Sequence, residues 1–186
     1  MKTSESVKNR RAHSALSLGP QDVQKLLKSH ELTVSILGLG RIGLPTAALF
    51  AHAGALVTGI DIDPRVVDQT NAGECRLVDE PGLEEMVRKS VAEKRLDATT
   101  RPEVAIPSSD LIIVCVPTPV EETKSPNYEA VRAASQAVGK SLSRGSIVIL
   151  ESTVGPGVVE DVVGPIIEKE SGMKAGTDFG LASWPP

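Results

Sequence analysis

Residues 36–48, ILGLGRIGLPTAA, constrain the fold more than any other stretch of this 186-residue chain. Gly38, Gly40 and Gly43 follow the spacing G-x-G-x-x-G, with an apolar run before them and an Ala/Leu-rich run after. The spacing alone is a weak signal. It becomes informative when a strand enters it and a helix leaves it, because the three glycines then have separate physical roles. Gly38 permits a tight turn. Gly40 removes the Cβ that would keep a ligand away from the backbone. Gly43 lets the helix pack close to the strand.

The flanking sequence supplies that context. LTVSIL (32–37) reads as a strand, and RIGLPTAALFAHAG (41–54) as a helix closed by Gly54. Pro45 falls in the first turn, where its missing N–H would have had no intrahelical partner. The alternation then continues: a strand over 55–61, a helix over 64–73 opened by Pro64 and closed by Gly73, and a helix over 81–95. A short strand over 96–100 and a near-continuous apolar strand over 109–117 follow. After them come a helix over 127–142, a strand over 146–152, a helix over 157–172 with a break at Gly164-Pro165, and a strand over 178–183. Strands alternating with helices predict an α/β fold: a Rossmann-type doubly wound parallel sheet flanked by helices, in a single domain over 31–186. The apolar run at 109–117 suits a strand covered on both faces. Residues 1–30 stand apart. Residues 1–20 are polar and aperiodic and read as a loose arm. Residues 21–30 form one short amphipathic helix with Val23, Leu26 and Leu27 on one face.

A helix that starts at the glycine turn offers free N–H groups and a partial positive charge to an anion. The second strand ends in Asp61, twenty-one residues after Gly40, where an acidic residue meets a ribose in dinucleotide-binding folds. A carboxylate there accepts from both ribose hydroxyls and repels a 2′-phosphate, which favours NAD over NADP. Asp63 adds to that repulsion. Arg65 leaves two roles open, accommodation of a phosphate or stacking on adenine.

Composition removes other classes. The net charge of −4 and an aromatic content of 2% argue against a nucleic-acid partner, which needs basic surface or stacking rings. No apolar stretch approaches the roughly 20 residues of a membrane helix, and no signal peptide is visible, so the cytoplasm is the expected location. Cys75 and Cys115 lack metal spacing, as do His13, His30 and His52, and no metal is expected. His52 reads as a helix-end residue. Cys115, inside an apolar strand, reads as a small buried hydrophobe.

Five segments together resemble the UDP-glucose/GDP-mannose dehydrogenase family: GLGRIGLPTAALFA (38–51), GIDID (59–63), NAGECRLVDEPGLEEM (71–86), CVPTP (115–119) and LESTVGPG (150–157). The family oxidises nucleotide sugars twice at C6 with two NAD. The resemblance implies that Arg41 and Ile42 lend their backbone to the cofactor and that Thr118 faces it. It also implies that Thr153 lies near the nicotinamide and helps hold a catalytic water. CVPTP with LEST is more similar to the UDP-N-acetylmannosamine and UDP-N-acetylglucosamine branch than to the UDP-glucose branch. Alternatives are a UDP-glucose 6-dehydrogenase, a β-hydroxyacid-type Rossmann dehydrogenase, and a non-catalytic Rossmann interaction module. Asp79 and Glu80 in DEPGLEE read as a solvated helix start rather than an acid/base pair.

The last residues depart from the family. FGLASWPP aligns Pro185 with a motif proline and sets Pro186 where the family has a glutamate. The family's catalytic Lys, Asn, Cys and Asp belong to a later region, together with a central dimerising helix and a nucleotide-sugar domain. The resemblance therefore implies that a longer parent takes the UDP-sugar and forms a homodimer, while this chain binds NAD without turnover.

Overall fold

The computed structural model describes residues 14–77, 79–121 and 125–183. His13, Pro185, Pro186 and the first part of the arm lie outside the described residues.

Six strands make one wholly parallel sheet: β1 (Thr33–Leu37), β2 (Leu56–Ile60), β3 (Leu96–Thr99), β4 (Leu111–Val114), β5 (Ile147–Leu150) and β6 (Gly180–Ser183). Their order is β3-β2-β1-β4-β5-β6. The chain builds outward from β1 to one edge, then returns to its other side at β4. That reversal opens a crevice beyond the carboxyl ends of β1 and β4, where ligands bind in open α/β sheets.

The strands are apolar on both faces because both faces are covered. In β1, Val34 and Ile36 point to one layer and Leu37 to the other. In β4, Ile113 sits with the first group and Ile112 and Val114 with the second. The first layer is closed by α2 (Gly43–Ala53), α3 (Pro64–Asn71) and α4 (Leu83–Ala92), through Leu44, Ala47, Val66 and Val87. The second is closed by the short α5 (Pro102–Ala105), α6 (Glu129–Ser141) and α7 (Gly164–Ser171), through Ala105, Val131, Val138 and Ile167. Buried serines in the sheet have partners: Ser35 bonds Ser109 at 2.6 Å, hydroxyl to hydroxyl.

Three local features differ from the sequence reading. The helix expected to begin at 81 begins at Leu83, because Gly82 takes a left-handed conformation (φ +80°) that an α-helix does not contain. Residues 102–108, which carried no amphipathic period, form α5 and a following 3₁₀ turn, started by Pro102 at the first helical position. The break at Gly164-Pro165 is a π-helical turn over Val159–Val163 that runs straight into α7. Pro165 has no N–H for the Asp161 carbonyl four residues back, and the helix widens just before it.

Residues 14–30 pack on the domain. Ala15 is buried in a 3₁₀ turn, and Ser14 packs on Gly145. α1 (Pro20–Ser29) lays Val23, Leu26 and Leu27 on the first layer, as its amphipathic spacing predicts. His30 ends α1 in the left-handed region, with its Nδ1 2.9 Å from the Gly54 carbonyl oxygen. The loose-arm reading therefore does not hold for residues 14–20. A short apolar contact, too brief to show a period, anchors them.

Candidate functional site

A cleft of about 450 Å³ opens at the carboxyl ends of β1, β2 and β4. Its floor is Gly38 and Gly40, one wall carries Asp61 and Arg76, and the α6 wall presents only alanines, Ala130, Ala133, Ala134 and Ala137. Small residues on that wall leave room for a flat, extended ligand.

The glycine turn meets the demands its spacing implies. Gly38 has φ +91°, and a Cβ there would stand 2.6 Å from the Cys115 carbonyl oxygen. A Cβ on Gly43 would overlap the Gly38 carbonyl oxygen, so α2 comes as near to β1 as backbone allows. Gly40 differs from both. Nothing lies within 4 Å of where its Cβ would be, and it borders the cleft. The protein's own packing gives no reason for a glycine at that position. A ligand lying against the backbone does, and the residues present fit the pyrophosphate of a dinucleotide there.

Leu39, between the glycines, is held at three points. Its side chain is fully buried and rests on Gly59, where any Cβ would stand 2.7 Å from its methyl carbons. Its N–H donates to Asp61 Oδ2 at 2.8 Å. Its carbonyl accepts from Arg76 Nη2 at 2.6 Å. Asp61 also accepts from the Asp63 N–H at 3.0 Å through Oδ1. Each carboxylate oxygen so keeps a lone-pair direction for a ribose hydroxyl.

Arg41, Ile42, Gly43, Arg65, Thr118 and Thr153, the other residues the sequence singles out, do not line this cleft. Ile42 is the residue before α2 and is exposed, as is Arg41, whose guanidinium stands 3.8 Å from the Asp79 carboxylate. Asp79 thus reaches back toward the glycine turn, while Glu80 stays on the solvated side of α4. Arg65 is bound to Asp63 through Nε at 3.0 Å and Nη2 at 2.8 Å, and it does not border the cleft. The Arg65 guanidinium holds the Asp63 carboxyl below its usual range. The two charges largely offset each other, which leaves Asp61 and Arg76 as the charged groups bordering the cleft among the described residues.

Outside the cleft lining, Thr118 and Thr153 are brought together. The Thr118 hydroxyl donates to the Thr153 carbonyl at 2.8 Å, which joins the loops after β4 and β5. Thr153 itself is exposed. Tyr128 adds a second link, its hydroxyl accepting the Gly155 N–H at 3.1 Å. Sequence reading missed Arg76, Gly59 and Tyr128. Gly59, an isolated glycine inside a strand, is a signal of close backbone approach. Arg76 and Tyr128 carry no such signal.

Cys115 is buried as expected, and its Sγ donates to Glu151 Oε2 at 3.0 Å. Burial first, and then the Glu151 carboxylate, push its thiol far above the ordinary range. The unfolded chain releases this proton above about pH 8.5, while the folded chain keeps it. Stability should therefore fall with rising pH in that range, by up to about 1.4 kcal/mol per pH unit, and be indifferent to this group below it. Iodoacetamide at pH 8 should label half-buried Cys75 first and Cys115 only as the domain unfolds, read by mass spectrometry. Labelling of Cys115 in the folded protein at the free-thiol rate would contradict this.

The chain is similar to known proteins of one family. Residues 32–186 match the model of the UDP-glucose/GDP-mannose dehydrogenase family, NAD binding domain. The chain belongs to this family. The NAD-binding domain is 42% identical over 141 residues to a UDP-N-acetyl-D-mannosamine dehydrogenase of Campylobacter jejuni, covering 75% of this chain and 33% of that protein. It is 36% identical over 154 residues to a GDP-mannose 6-dehydrogenase of Pseudomonas putida, covering 81% of this chain and 35% of that protein. A crystal structure of a GDP-mannose dehydrogenase ternary complex from Pseudomonas aeruginosa superposes with a TM-score of 0.79 at 34% identity, over 82% of this chain and 35% of the other. The chain thus spans about a third of the length of the relatives it matches. NAD is the cofactor of the domain, and no described helix is long and apolar enough to cross a membrane.

Proposed function

We propose that this NAD-binding domain serves a nucleotide-sugar 6-dehydrogenase that oxidises a UDP-N-acetylhexosamine, UDP-N-acetylmannosamine foremost, to its uronate with two NAD. The observation that carries the cofactor half is Gly40, open to the cleft at the start of α2 with the Asp61 carboxylate across from it. The sugar half rests on the CVPTP and LEST motifs and on the higher identity to a UDP-N-acetylmannosamine dehydrogenase than to a GDP-mannose enzyme.

Bound NAD supplies the hydride acceptor. The chain's own residues bind and orient it. The backbone of Gly38, Gly40, Arg41, Ile42 and Gly43 wraps the pyrophosphate. Asp61 takes the adenosine ribose hydroxyls. Arg65, its charge offset by Asp63, lies outside the cleft lining and does not invite a 2′-phosphate. Thr118 and Thr153 flank the nicotinamide, and the exposed Thr153 hydroxyl holds a water near the reacting carbon. The longer parent is a cytoplasmic homodimer that contributes the sugar site, and this chain by itself binds NAD without turnover.

Calorimetric titration with NADH and NADPH, beside absorbance assays with UDP-N-acetylmannosamine, UDP-N-acetylglucosamine, UDP-glucose and GDP-mannose, tests this. NADH should bind more tightly than NADPH, and the chain alone should form no NADH from any of the sugars. Joined to the remaining two thirds of a relative, it should turn over UDP-N-acetylmannosamine fastest. NADH formation by the chain alone, or a GDP-mannose preference in the joined protein, would refute the corresponding part.

A further inference from the structure

We infer that Arg76 is a cofactor-positioning and cofactor-binding residue: its guanidinium locks the peptide of Leu39 in the glycine turn and presents a positive charge to the adenosine diphosphate half of the cofactor. The inference rests on the reading that the cleft takes NAD.

Arg76 lies in the loop between α3 and α4, outside the glycine turn and outside the second strand, the two places that dinucleotide sites ordinarily draw on. Its Nη2 donates to the Leu39 carbonyl at 2.6 Å. The Leu39 N–H is already taken by Asp61, and its side chain is buried on Gly59. The two peptide units flanking Leu39 are therefore each fixed by a charged side chain, one of each sign. These are the units that orient the N–H groups of the turn. A turn held in this way spends little conformational entropy when a ligand arrives.

The charge argument is separate from the geometry. Arg76 borders the cleft beside Asp61, whereas Arg65 is occupied by Asp63 and stands outside it. A guanidinium carries five N–H donors, and the bond to Leu39 uses one, so others remain free to face an anionic ligand. The pyrophosphate is doubly negative and Asp61 opposes it, and Arg76 offsets that opposition where the cofactor lies.

The test is titration of the full chain and its Arg76 variants with NADH and with ADP-ribose, at low and high salt, after circular dichroism has established folding. Arg76→Ala should weaken NADH and ADP-ribose equally, by about ten- to a hundredfold, since both share the half that Arg76 meets. Arg76→Lys should recover part of the loss. Arg76→Gln keeps a donor for Leu39 without the charge, and should bind with intermediate affinity and a shallower salt dependence than wild type. Should Arg76→Ala fail to fold, the Gln and Lys variants carry the test. Wild-type affinity and salt dependence in Arg76→Gln, or wild-type affinity in folded Arg76→Ala, would overturn the inference. Failure of the wild-type chain to bind NADH would instead overturn the cofactor reading on which it rests.

Discussion

Gly43→Ala is expected to cost the domain about 3 kcal/mol or more of stability, at the upper end of what overpacking a core produces. The added methyl would occupy the space of the Gly38 carbonyl oxygen and crowd Cys115 Cβ at 3.2 Å. Neither neighbour can move cheaply. The Gly38 N–H is bonded to the Ile60 carbonyl at 2.7 Å, and Cys115 is tied to Glu151. Relief requires α2 to lift from β1, which breaks the first apolar layer and displaces the N–H groups at the helix start. The melting temperature should drop by roughly 6–12 °C for a chain of this size, and NADH binding should be lost in what remains folded. Gly40→Ala is the control. A Cβ there meets no protein atom, so its melting temperature should stay near that of wild type while NADH affinity falls. Equal thermal losses in the two variants, by calorimetry, would show that the open space at Gly40 is not the ligand's.

Asp61→Ala is expected to weaken NADH binding tenfold to a hundredfold and to narrow the preference over NADPH. Two contributions act in the same direction. The ribose hydroxyls lose a charged acceptor, and such bonds contribute about 1.5–3 kcal/mol. The Leu39 and Asp63 N–H groups also lose the acceptor that orients them. Asp61→Asn separates the two effects, since the amide oxygen still accepts one N–H while the negative charge is gone. It should bind NADH with intermediate affinity and discriminate against NADPH as poorly as the alanine variant. Unchanged NADH affinity in Asp61→Ala would remove Asp61 from the site.

The architecture was legible because its signals are local and repeated. The G-x-G-x-x-G turn, the Pro64 and Gly73 that bound α3, and the near-continuous apolar run of β4 each point to one element type. Together they allow only a doubly wound parallel sheet. What failed was short or non-periodic. α5 has four residues, too few for a period, and residues 14–20 dock through buried Ala15, Ser14 against Gly145 and Leu16 against Gly180. The site divides in the same way. Gly38 and Gly43 stood out because backbone geometry demands glycine there, and Gly40 and Asp61 because a dinucleotide needs an open backbone and a carboxylate at those offsets. Arg65, the arginine nearest in sequence to Asp61, is drawn off by Asp63, and Arg76, eleven positions further on, borders the cleft instead.

By itself the sequence determined the fold class, the strand that leads into the glycine turn, the carboxylate that ends the second strand, and the cofactor. Each depends on neighbours close along the chain or on a fixed offset within one βαβ unit. Only the tertiary structure decided which arginine borders the cleft and is bonded to Leu39, and that the loops after β4 and β5 are joined through Thr118 and Tyr128. Those outcomes depend on side chains that meet across 27–37 residues of chain, and no periodicity records such meetings.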